Sequence, residues 1–235
     1  MNPFSRAYGF YFISYILIVY LIYLVNHRHT PEKKFIDFIF PEEIYETKTF
    51  LKHAMYFFLV FYVLAIFNTV ANKIGVLSNT QPNYFELETV FNSLIFIVVF
   101  DLILYVSHIL QHKINFLWKF HKFHHDHGDL HIFIAFKHHP FELMIMFIII
   151  VSLNQSLGQA LDLSVQNNMF LVSFYMLGYH LRHSHIPFEY PKALNLFLIS
   201  PSDHQRHHSF EQKHFNTNYG FIFCVWDRLF KTYKK

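Results

Sequence analysis

Thr89–His112 reads TVFNSLIFIVVFDLILYVSHILQH. Its first part, Thr89–Ser107, holds a single charge, Asp101, and neither proline nor glycine. That is about the length a helix needs to cross a bilayer core. At about 100° per residue, Asp101, Tyr105, His108 and His112 fall near 0°, 40°, 340° and 20°, one narrow stripe. A carboxylate within an apolar helix is costly and turns toward the bundle interior and a partner. A histidine ring N–H is the expected partner, an arrangement that fixes the tautomer of a metal ligand. The alternative is a structural pair with Tyr105 or another helix.

Outward from this span, the uncharged stretches Tyr8–Val25, Ala54–Asn72, Leu143–Leu161 and Leu163–Tyr179 are also long enough to cross, the last two joined at Asp162. The first lacks the charged leader and small-residue cleavage site of a signal peptide, so it reads as a retained helix. With 53% hydrophobic and 15% charged residues, the chain is expected to be an all-α, integral-membrane helical bundle of four to five spans. A histidine-rich helical cap is expected on its cytoplasmic side. Of the nineteen Lys and Arg, only Arg6 and Lys73 lie on the side of the N-terminus; the others fall in the opposite loops and the C-terminal region. The positive-inside bias therefore places the N-terminus outside and the histidine clusters at the cytoplasmic boundary. The mixed segment Glu32–Lys52 is expected to lie along the interface. Residues 1–88 then form an N-terminal transmembrane region and 89–235 a catalytic domain. A net charge of +3 is too small and dispersed for nucleic-acid binding, and the lone Cys224 excludes a thiolate cluster.

Sixteen of the nineteen histidines fall between His108 and His214. Eight form three clusters: His108-x3-His112, His121-x2-His124-His125 and His204-x2-His207-His208. On a helix, the i, i+3, i+4 spacing puts each triplet in a single arc, and neutral imidazole is a good ligand for transition metals. Two ions with room for a small molecule fit this count better than structural zinc, which closes at four ligands.

Asp101-x3-Tyr105-x2-His108-x3-His112, Trp118-x2-His121-x2-His124-His125 and His139-Pro140-x-Glu142 follow one another in order. Then come Ser200-Pro201-x2-His204-x2-His207-His208, Asn218-Tyr219-Gly220 and Trp226-Asp227-Arg228-Leu229-Phe230. Together they resemble the fatty acid hydroxylase and sterol desaturase superfamily over roughly Asp101 to Thr232. Lys231 stands where that family usually has glycine. The resemblance implies an integral-membrane oxidoreductase with a histidine-ligated pair of irons. Such enzymes use O2 to hydroxylate or desaturate a fatty acyl, sterol-like or related lipid. It adds His183 to the ligands His108, His112, His121, His124, His125, His204, His207 and His208.

His180, three residues earlier on the same face, joins this set, with His139 the competitor for the tenth place. Asp101, Tyr105, His139 and Asp203 are expected around the ligands, and no catalytic residue beyond the ligands themselves. Asn218-Tyr219-Gly220 reads as structural. His127, His131, His138, His185 and His214 are left at the surface, the interface or behind the ligands. The sequence has no dinucleotide loop or iron–sulfur cysteine set, so a separate reductase, ferredoxin or cytochrome is expected to deliver electrons at the cytoplasmic face. The rival reading is a membrane metal-binding protein or metal transporter without redox chemistry. Transporters, however, place their ligands near the bilayer midplane on broken helices.

Overall fold

The computed structural model describes residues 13–14, 16–24, 35, 47–73, 87–126, 130–163, 171, 175 and 177–235. Most of Glu32–Lys52, His127, and parts of the predicted spans Tyr8–Val25 and Leu163–Tyr179 lie outside these residues. Among the described residues every regular element is helical, with one isolated bridge between Leu198 and Phe223. The α-helices described from end to end are α1 (Thr47–Lys73), α2 (Leu87–Lys113), α3 (Asn115–His125), α4 (Pro140–Leu153), α5 (Pro201–His207) and α6 (Val225–Leu229), with further helical residues at 16–24 and 177–182. Two described helical runs, Leu87–Lys113 and Pro140–Gly158, are long and apolar enough to cross a membrane.

α2 is the spine. Its 27 residues rise about 40 Å. Phe96, Phe100 and Leu104 are buried against Leu163, Leu171, Tyr175 and Ile222, while Phe91, Leu94 and Val98 stay exposed. An apolar exposed face of this kind suits lipid rather than water. Ile114, in extended conformation (φ −95°, ψ 113°), breaks the helix by one residue before α3 begins. This bend folds the second histidine triplet back over the end of the first.

α4 starts at Pro140, where a missing N–H costs nothing, and the His139 ring caps it by accepting from the Phe141 N–H at 3.2 Å. It runs through a π turn at Asn154–Gly158 to a reversal at Leu161–Asp162, with Asp162 in the left-handed region (φ 48°). The expected junction at Asp162 is thus a turn. Asn92 of α2 donates to the Leu161 carbonyl at 3.0 Å, about 24 Å along the helix from His108. The reversal therefore sits at the far end from the histidines, and the helix through 177–182 returns to them.

α5 carries the last triplet and is fixed by a capping box. Ser200 Oγ accepts from Asp203 N at 3.2 Å, and the Asp203 carboxylate accepts from Ser200 N at 3.2 Å. Asp203 also takes Arg206 at 2.5 Å, so it orders the helix rather than any single imidazole.

Candidate metal centre

Nine imidazoles from α2, α3, α5 and the 177–183 segment meet in two adjoining groups. His108, His112, His121, His125 and His207 form the first, their ring nitrogens all within 4.8 Å of one another. His124, His183 and His208 satisfy the same limit in the second. His204 joins the second, its Nε2 3.0 Å from that of His183 and 3.2 Å from that of His208. Eight of the nine are buried, with His112 intermediate.

The outer nitrogens are anchored. Nδ1–H of His108 donates to the Tyr219 carbonyl at 2.8 Å and that of His207 to the Thr217 carbonyl at 2.7 Å. His183 Nδ1–H donates to the Tyr179 carbonyl at 2.8 Å, and His121 Nδ1–H to Glu142 Oε1 at 2.7 Å. A ring that donates through Nδ1 while neutral turns a bare lone pair inward at Nε2. Yet Nε2 of His108 and Nε2 of His207 stand 3.1 Å apart, lone pair to lone pair. Either one ring is an imidazolium or a cation belongs between them. Burial argues against the imidazolium. It pushes the His207 pKa down to about 3, and burial, followed by neighbouring imidazoles, holds His124, His125 and His204 well below the ordinary value.

The spacing fits a metal. Two nitrogens about 2.1 Å from one ion lie ~3.0 Å apart at a 90° angle and ~3.4 Å at the tetrahedral angle. The facing Nε2 pairs 112–121, 121–125 and 124–183 measure 3.1, 3.2 and 3.1 Å. These values suit ions with more than four positions, as the five nitrogens of the first group require. A small recess adjoins both groups. Leu104, Met146 and Phe221 give it an apolar side, and Glu142, His138 and Tyr179 a polar one.

Glu142 and His138 are the residues that reading the sequence undervalued. Glu142 is 3% exposed and receives His121; His138 approaches the same oxygen at 3.0 Å and stacks on His124, centroids 4.2 Å apart. His138 Nε2 also reaches the Tyr179 hydroxyl at 2.7 Å. The available signal was the pairing of His138 with Glu142 one helical turn apart at the mouth of a span.

Asp101 does not do what its stripe predicted. Its carboxylate accepts from the backbone N–H of Ile222 at 2.7 Å and of Phe223 at 3.2 Å, and from Trp226 Nε1 at 2.9 Å. No described histidine reaches it, because the C-terminal segment folds down α2 and supplies donors first. Tyr105 belongs to the same contact, stacked on Phe230 and bonded to Thr232 Oγ1 at 2.9 Å. His180 is buried between Phe57 and Phe136, outside both groups, and His139 caps α4. His131 pairs with His53 at 3.2 Å; His185 and His214 fall in neither group.

The loop 216–220 has a plain purpose, to present two carbonyls to His108 and His207. Asp227 accepts from the N–H of Tyr219 and of Gly220, both at 2.8 Å. A Cβ at Gly220 would stand 2.5 Å from the Phe223 carbonyl oxygen, so only glycine fits. Asn218, at φ 56°, ties the loop to the Lys234 backbone.

Among the described residues every regular element is helical, two helices are long and apolar enough to cross a membrane, and two buried groups of imidazole nitrogens could hold metal. Residues 93–232 match the fatty acid hydroxylase family, and the chain belongs to that family, part of the fatty acid hydroxylase and sterol desaturase superfamily. The family implies an oxidoreductase that uses metal. No curated protein and no solved structure matches the chain.

Proposed function

We propose that this protein is a membrane-bound, non-haem di-iron oxygenase. It would hydroxylate or desaturate a lipid, fatty acyl, sterol-like or related, with O2 and electrons from a separate donor. The observation that carries the reading is the opposed pair of lone pairs on His108 and His207, repeated in kind across both groups. His108, His112, His121, His125 and His207 would hold one ion, and His124, His183, His204 and His208 the other. When bound, the irons supply the oxidising power that attack on an unactivated C–H bond needs and no side chain has.

The remaining work falls to the chain itself. The carbonyls of Tyr219, Thr217 and Tyr179, with Glu142, aim four of the nine rings and keep their inner nitrogens unprotonated. Leu104, Met146 and Phe221 offer an apolar chain a water-poor approach from the helix bundle. The charge asymmetry supports four to five spans with the histidines on the cytoplasmic side, where Lys113, Lys119 and Lys122 would receive an electron donor.

The test is to supply the purified protein with iron, an electron donor and membrane lipid under 18O2, and to follow the lipids by mass spectrometry. Gain of one labelled oxygen, or loss of two hydrogens, is expected. Unchanged lipids together with metal flux in sealed vesicles would favour the transport reading.

A further inference from the structure

The C-terminal segment runs along α2 from His108 back toward the middle of the helix. Trp226, Ile222 and Phe223 bind Asp101, and Phe230 stacks on Tyr105. Asp101 lies about 18 Å along the helix from Lys113 and about 21 Å from Leu87, near its middle. Beside this contact the chain shows a compact apolar surface. Leu194, Leu196 and Phe197 are 50%, 55% and 60% exposed, and Leu229 and Phe230 are 65% and 54% exposed. The two pieces are joined: Cys224 N–H donates to the Phe197 carbonyl at 2.9 Å, and Arg228 donates to the Asn195 carbonyl at 2.8 Å.

Two observations say what covers this surface. The stripe of α2 that holds the C-terminal segment through Tyr105 and Asp101 continues toward Leu87 as Val98, Leu94 and Phe91, which are 43%, 57% and 62% exposed. The rim is therefore continuous with the face of α2 that a bilayer would contact. Its border is cationic: Lys192, Arg228 and Lys231 are all exposed beside it. Exposed apolar residues bordered by basic ones are the pattern of a segment lying in the headgroup and acyl boundary of an anionic leaflet.

We infer that Leu194–Phe197 and Leu229–Phe230 form a monotopic membrane rim, inserted into the leaflet on the side of the histidine centre, with lipid as the occupant. This rests on the reading of α2 as a span, and goes beyond it by making the C-terminal part of the catalytic domain a membrane-embedded piece rather than a cap held in water. Ile222 and Phe223, which flank the rim, pack with Phe221 of the recess. The rim thus places the mouth of the centre at the level of the acyl chains.

The test uses the full chain in vesicles containing anionic phospholipid, with an environment-sensitive fluorophore on single introduced cysteines, Cys224 being buried. Val98→Cys reports on the span, Lys213→Cys on an exposed ion-paired turn, and Leu196→Cys, Phe197→Cys and Phe230→Cys on the rim. Nitroxide-bearing lipids should quench the Val98 and rim probes and leave the Lys213 probe bright. Three independent rim sites guard against one substitution misfolding. Quenching at Val98 with bright, water-exposed rim probes would overturn the rim and leave the span intact. No quenching at Val98 would overturn the span and the rim with it. Blue-shifted rim probes shielded from the lipid quencher would mean that a second copy covers the surface, and would also overturn the inference.

Discussion

Two buried carboxylates, Asp101 in the middle of α2 and Glu142 in the first turn of α4, look alike in composition and differ in what they hold. Asp101 faces three N–H donors of the C-terminal segment; Glu142 faces the ring of His121 and approaches that of His138. One is a tether and the other aims an imidazole of the first group. The difference comes from depth. Asp101 lies about 10 Å along α2 from His108, where the returning chain arrives. Glu142 starts its helix at the level of the histidines. Helical phase selects a face, but the element packed on that face decides the partner.

The largest effects should come from the rings themselves. His121→Ala or His207→Ala should abolish turnover and lower bound metal, while His214→Ala, in neither group, should change neither. Activity persisting after either of the first two would break the assignment of the first group. Next comes Glu142→Gln, which should cost about 10–100-fold in metal affinity or turnover, the usual loss when a carboxylate behind a ligand is removed. Asp101→Asn should act elsewhere, lowering stability by about 1–3 kcal/mol through donors left without a charged acceptor. The metal content of the protein that remains folded should hold. Reversed outcomes, with Glu142→Gln touching only stability and Asp101→Asn only metal, would undo the comparison.

Acid should separate the regions too. The imidazoles of His124, His125, His204 and His207 are held neutral, their folded pKa values lying below the ordinary 6.5. A group of this kind leaves stability intact above pH 6.5, where both states are neutral. As pH falls below 6.5 the unfolded chain takes up protons that the fold refuses, so stability declines toward the folded value, about 3 for His207. Protons also compete with metal for the same nitrogens. Metal loss and melting temperature followed from pH 8 to pH 5 should fall together; flat curves would contradict buried neutral rings. The smallest effect is expected at Lys231, which sits at φ 59° where the family usually has glycine. Lys231→Gly should raise stability by about 1 kcal/mol, the strain of a side chain in the left-handed region, measurable as a higher melting temperature.

How much was legible follows the same division. The histidine clusters were readable because i, i+3, i+4 spacing converts directly into a shared helix face; with His183 added by the family resemblance, nine of the ten expected rings converge. His180 and His139 shared that spacing or neighbourhood but not the outcome. The face of the helix that carries His180 meets Phe57 of α1, a contact 123 positions away in the chain. The roles of Tyr219 and Thr217 were invisible, since they act through backbone carbonyls and any side chain would show the same pattern. Glu142 was quoted in a motif but given no task; its work depends on the first turn of α4 meeting α3 after the one-residue break at Ile114 has turned α3 back over the end of α2.

The central claim is that the two groups of imidazoles hold two ions, one each. Metal content per chain, measured with X-ray absorption at the iron edge, tests it most directly. The account predicts two irons per chain in the wild type, in a nitrogen-rich shell at about 2.1 Å with more than four neighbours. It also predicts loss of iron from one group in His207→Ala and from the other in His183→Ala. A single four-coordinate ion per chain, or full metal content in both variants, would contradict it.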